Sequence, residues 1–269
     1  MSKTSLCSAL AGLLVLSGSA FADNFQFSSP GSVTWSGVYV NPYSATVDQA
    51  GGTFASGTVL TIYCDDWNTD FSGNPTWNAT VYALTLGNTT NFKYGKTTPD
   101  FNVTLDTAHN TLGITSDPVT IPAGSFNRYL EAAYLDQQWE NELLSTDLSA
   151  LKTTRQKELA AAVWTLFVDS NHVAGLIGAI NGSVDTIGTT TYYYADDVAQ
   201  YLAQAQAAAL PNGTFAAADW DVIVPEGLTL DGQHMQEFLV HAPEPSAVIL
   251  LGTVVGVLGL TKFRRKRRA

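Results

Sequence analysis

Cysteine is nearly missing from this chain: there are 2 in 269 residues, Cys7 and Cys64. No framework of disulfides can therefore hold it together, and its stability must come from a hydrophobic core. Basic residues are scarce as well. Of the 13 Lys and Arg, one is Lys3 and six crowd the last eight positions; the remaining six face 24 Asp and Glu, a net charge of about −18. Such a field repels nucleic acid and anionic lipid, which excludes a DNA or RNA partner. Histidine is sparse too. His109, His172, His234 and His241 are scattered, and none lies at metal-ligand spacing from another His or Cys. The chain has no G-x-S-x-G, no H-E-x-x-H and no phosphate-binding loop. Glu140 and Glu142 fall on opposite faces of a helix and cannot share a substrate. These absences together lead us to expect a protein that is not an enzyme.

What is present is concentrated first at the two ends. Lys3, an apolar stretch over Leu10 to Leu16, and Ala20-Phe21-Ala22 before Asp23 read as a secretory signal for signal peptidase. Cleavage after Ala22, with Ala20 and Ala22 as the small residues of the site, would start the mature chain at Asp23. Cys7 leaves with this segment. The lone Cys64 that remains is then buried, pairs between chains, or reacts. At the other end Pro243-Glu244-Pro245 precedes a largely apolar run from Ala247 to Leu260. Fourteen residues make a helix of only ~21 Å at 1.5 Å rise, short of a hydrocarbon core of ~30 Å. The flank decides the reading: Lys262, Arg264, Arg265, Lys266, Arg267 and Arg268 would hold the helix end at the cytoplasmic face and snorkel to supply the missing length. The sequence thus predicts a single transmembrane helix with the body outside the cytoplasm. This tripartite end resembles the PEP-CTERM sorting tail of exported bacterial proteins. The resemblance implies recognition by a membrane-embedded exosortase, transient anchoring in the inner membrane, and release to the cell surface or the exopolysaccharide matrix.

Between the signal (1–22) and the tail (242–269) we expect one α+β body, 23–241. Its first part, 23–125, is β-rich and sandwich- or barrel-like. Val33, Trp35 and Val38 to Val40, then Thr58 to Cys64, Trp77 to Leu86 and Phe101 to Leu105 are β-branched and aromatic runs between Gly, Asn, Pro and Ser clusters. From 126 to 210 the pattern is mainly helical. Helices are predicted from Tyr129 to Leu144, from Thr154 to Val168 with Leu159, Val163 and Phe167 at i, i+4 and i+8, and from Asp196 to Leu210. Strands return in 211–241, at Trp220 to Val224 and Phe238 to His241. The helices thus form an insertion whose chain comes back to the sheet.

Within the body the sharpest local feature is Tyr63-Cys64-Asp65-Asp66-Trp67 at a strand end. With Leu159-Ala160-Ala161-Ala162-Val163-Trp164 and the helix from Tyr129 to Leu135, it is distantly similar to the thioester domains of bacterial surface adhesins. The resemblance makes Cys64 the strand cysteine and Ala162, Val163 and Trp164 the end of a T-Q-x-A-[IV]-W motif. Ala160 occupies the glutamine position of that motif, so the motif offers no amide carbon for Cys64 to attack. Gln156, one turn away on the helix, has nothing to single it out, and Cys64 reads as a small buried hydrophobe. Asp66-x-Asn68-x-Asp70-x-Ser72 has the alternating oxygen spacing of a calcium loop. Phe71 in place of the turn glycine and Trp77 in place of the bidentate Glu exclude an EF-hand. A looser calcium site at Asp66, Asn68 and Asp70 is the one cofactor to consider. Six Trp and eleven Tyr also allow a platform for exopolysaccharide or other surface glycans. The expected role is a structural or adhesive surface protein, with a carbohydrate-binding or adhesin-like module as the alternative.

Overall fold

The computed structural model describes residues 22–29, 32–40, 42–49, 53–65, 67, 74–94, 101–107, 119–121, 125–210, 213, 215, 217–227 and 236–241. Six strands close a barrel: β1 (Asp23–Ser29), β4 (Tyr43–Gln49), β5 (Val59–Cys64), β6 (Thr76–Ala83), β11 (Trp220–Pro225) and β12 (Phe238–His241). Around the barrel they run β1-β4-β5-β12-β11-β6, each antiparallel to its neighbours. The fold is α+β, and its β-rich part is a barrel. The two strands that return after the helices fill the gap between β5 and β6, so the barrel closes only when both ends of the body meet.

Alternation along each strand explains the two cores. Phe25 and Phe27, Ala45 and Val47, Leu60, Ile62 and Cys64, Trp77 and Ala79, Ile223, Phe238 and Val240 point into the barrel. Aromatic rings fill the interior: Phe25 stacks on Trp77 at 5.6 Å between centroids, and Phe238 meets Trp77 at 5.9 Å and Tyr43 at 6.4 Å. The residues that alternate with these on the β5, β12 and β11 wall, Tyr63, Leu239, Trp220 and Val222, face outward onto a helical layer. On β1 the outward Gln26 and Ser28 are exposed.

The helical layer is α1 (Ser125–Leu144), α2 (Ser149–Phe167), α3 (Val173–Asn181) and α4 (Tyr194–Ala209). The three predicted helices are α1, α2 and α4. The predicted amphipathic stripe of α2 is wider than expected, because every residue from Glu158 to Val168 is buried. A helix apolar all round needs neighbours on every side, and α1, α3 and α4 supply them together with the barrel wall. Beside the pair β7 (Phe101–Val103) and β8 (Val119–Ile121) stand two short hairpins, β2 (Thr34–Trp35) with β3 (Val38–Tyr39) and β9 (Val184–Ile187) with β10 (Thr190–Tyr193), and two 3-10 turns at Leu86–Asn91 and Ala217–Asp219. The turn of the first has positive φ at both central residues, Ser36 at 50° and Gly37 at 86°, as a type I′ hairpin turn requires. Among the described residues no helix is long and apolar enough to cross a membrane. The expected tail helix over Ala247 to Leu260 lies outside those residues.

Candidate functional site

Cys64 is the last residue of β5 and lies opposite Phe238, the first residue of β12. Side chains two apart on a strand share a face, so Gln236, two residues before Phe238, projects toward the same side as Cys64. The two meet there. Cys64 Sγ stands 2.5 Å from Gln236 Oε1, with Cys64 1% and Gln236 6% exposed. Sulfur is larger than oxygen, so an S–H···O contact lies beyond the ~2.5–3.0 Å of an O–H···O bond. At 2.5 Å the thiol lies hard against the side-chain amide of Gln236. The thiol and the amide oxygen meet beside the buried apolar cluster that holds Cys64, Phe238, Trp77 and Ile62.

The residues that follow each partner, Asp65 and Glu237, point to the opposite face and also meet. Both are fully buried and hydrogen-bonded to each other. Glu237 further accepts from Tyr129 Oη of α1 and from the Lys93 backbone N–H at 2.7 Å. Tyr129 in turn accepts from the Tyr94 N–H at 3.2 Å and lies between Phe92 and Phe167. Burial pushes the Glu237 carboxyl up to about 7 against these hydrogen bonds and the charge of Lys93. Burial, with Glu237 and Asp65 beside it, holds the Tyr129 phenol well above its usual range. A second polar cluster lies further along the same wall. Tyr63 Oη donates to Glu140 Oε1 at 3.2 Å, and His241 Nδ1 lies 3.1 Å from Glu140 Oε2 with its ring stacked on Trp220.

The residues singled out in the sequence fare unequally. Cys64 is buried, as the small-hydrophobe reading requires, yet its partner is a glutamine from the far end of the body. The motif's glutamine position on α2 is Ala160, which is buried in the helical core. Gln236, Glu237 and Tyr129 are the site residues that sequence reasoning missed. Ala22 directly precedes β1. Ala20, Asp66, Asn68, Asp70, Pro243, Glu244, Pro245, Lys262, Arg264, Arg265, Lys266, Arg267 and Arg268 lie outside the described residues. Among the described residues no group of three or more His, Cys, Asp and Glu could hold a metal ion. The tryptophans do not form a platform: Trp35, Trp77, Trp139, Trp164 and Trp220 are buried, and half-buried Trp67 lies against Trp164 at 5.0 Å and Trp35 at 6.0 Å. A cavity of about 330 Å³ between α2 and β9 is lined by Thr154, Lys157 and Asp185. Its polar groups satisfy one another, because Asp185 Oδ2 accepts from Thr154, Tyr194 and Lys157.

Comparison with protein-family models, curated proteins and solved structures finds no match.

Proposed function

We propose that this chain is an exported surface protein that attaches itself covalently to an amine through a thioester formed by Cys64 and Gln236. The contact between Sγ and the side-chain amide carries this reading. In the forming step the thiol adds to Gln236 Cδ, the C–N bond breaks, and ammonia leaves with the thiol's proton. Thiol and amide become thioester and ammonia, with no oxidant or reductant. In the capture step a primary amine attacks the same carbonyl, the C–S bond breaks, and a proton passes from the amine to sulfur. A stable amide then joins Gln236 to the target, and the Cys64 thiol is restored. Burial keeps water from the carbonyl between these steps, and the acidic body draws cationic amines toward it. Capture consumes the site, so the role is adhesive and not catalytic.

The address rests on the two ends. Signal peptidase removes 1–22, the helix over Ala247 to Leu260 anchors the chain in the inner membrane, and an exosortase recognises Pro243-Glu244-Pro245. The body then reaches the cell surface or the exopolysaccharide matrix, where amino-bearing glycan or protein is the target.

Intact mass tests the site. The purified body should be lighter than its sequence requires by one ammonia, and Cys64→Ala should restore the full mass. Methylamine should add its own mass to the wild type and release a thiol detectable after denaturation. A wild type of full mass with its thiol already titratable would sink the reading and leave Cys64 as a core thiol beside Gln236.

A further inference from the structure

Gln236 and Cys64 belong to segments that enter the site from different parts of the chain, and a bond between them needs both held in register. The strand register fixes Cys64 through its pairing with Phe238. Gln236 lies before β12 begins, beyond the last ladder partner of that strand. Its position therefore depends on what holds the next residue, Glu237. Three separate segments do so: Asp65 directly after Cys64, Tyr129 on α1, and the backbone of Lys93. The carboxyl of Glu237 ties the residue after Gln236 to the residue after Cys64, on the face opposite the thiol and amide.

We infer that Glu237 is the positioning residue of the thioester, clamping Gln236 against Cys64 through its hydrogen bonds to Asp65, Tyr129 and the Lys93 N–H. The inference rests on the thioester reading and adds the device that makes it form. Two buried carboxyls can hydrogen-bond to each other only while a proton lies between them. The charged and titratable groups facing Glu237 are Asp65, Tyr129 and Lys93. Its carboxyl is raised above the ordinary range, so the folded state holds the proton more tightly than the unfolded chain does. The hydrogen bonds from Tyr129, the Lys93 N–H and Asp65 all favour the ionised carboxyl against its burial, so they persist as pH rises through about 7, while the folded state loses the stability that protonated Glu237 supplied.

Three variants of the full chain and their intact masses decide it. Glu237→Gln keeps donor and acceptor but cannot ionise. Glu237→Leu keeps the volume and removes every hydrogen bond. Tyr129→Phe removes one. At pH 6 the fraction of protein lacking one ammonia should match wild type in Glu237→Gln and fall about tenfold in Glu237→Leu, the equivalent of one lost buried hydrogen-bond set. Tyr129→Phe should lie between them, and it carries the test should Glu237→Leu fail to fold. Equal ammonia loss in wild type, Glu237→Leu and Tyr129→Phe overturns the clamp while leaving the thioester standing. No ammonia loss in wild type overturns both.

Discussion

An amide is a sluggish acyl donor, and a thiol in solution leaves glutamine untouched. Placement changes this, because a nucleophile fixed against its carbonyl acts at an effective molarity on the order of 10⁵–10⁸ M. Cys64 and Gln236 have that placement only because the glutamine side chain spans the distance from its backbone to the sulfur. Gln236→Asn keeps the amide and the polarity but is one methylene shorter, so the carbonyl carbon withdraws from Sγ. This variant should fold with a midpoint close to wild type in thermal unfolding and show no ammonia loss by intact mass. Ammonia loss in Gln236→Asn would mean that contact geometry does not govern the reaction. At this scale the sequence was half informative. Cys64 stood out because it closes a β-branched run ahead of two acids, a local pattern. Gln236 lies 172 residues away, and the parity that puts both on one face exists only once Cys64 is paired with Phe238. No window of sequence contains that pairing.

Elements were more legible than the site, for a physical reason visible in α2 and in the hairpins. Runs of β-branched and aromatic residues and apolar residues at helical spacing are local signals, which is why β5, β6, β11, β12, α1, α2 and α4 were anticipated close to their observed bounds, whereas β1 and β4 were read only as part of a β-rich region. β9 and β10 bury little on either face, so they carry no alternation to read. α3 has Gly175 and Gly178 inside it, which lowers its helix propensity, and only Leu176 and Ile180 are buried. In α2 the stripe of Leu159, Val163 and Phe167 was read as the buried face, whereas Ala160, Ala161 and Ala162 are just as enclosed. Alanine there is a spacing requirement: small side chains let α1, α3 and α4 approach. Ala161→Leu adds three carbons where no space exists and should destabilise the fold by ~1–3 kcal/mol through overpacking. Urea unfolding followed by far-UV circular dichroism measures this. A stability equal to wild type would show that the helix has a free side which the packing denies.

For the whole molecule, the barrel and the proposed route to the surface depend on the same boundaries. β1 begins at Asp23, directly after Ala22, and β12 ends at His241, two residues before Pro243. β12 lies between β5 and β11, and β1 pairs with β6 and β4. Removal of the signal up to Ala22 and processing at Pro243-Glu244-Pro245 would both fall just outside the barrel and leave every strand of it in place. A cut only a few residues further in at either end would take away a wall strand, and with β12 it would also take Gln236's anchor. On the proposed route the tail is read by its own residues and not through the body, so a change confined to it should alter destination without altering the fold. Glu244→Ala is that change. Native protein should be recovered outside the cell, starting at Asp23 and lacking Lys262 to Arg268. The variant should remain in the inner membrane with its basic terminus, still lighter by one ammonia. Fractionation followed by intact mass reads both properties at once. If native protein and Glu244→Ala alike keep the basic terminus and stay in the inner membrane, Pro243-Glu244-Pro245 is no sorting signal, and the chain is a protein anchored at its C-terminus whose thioester works at the membrane surface.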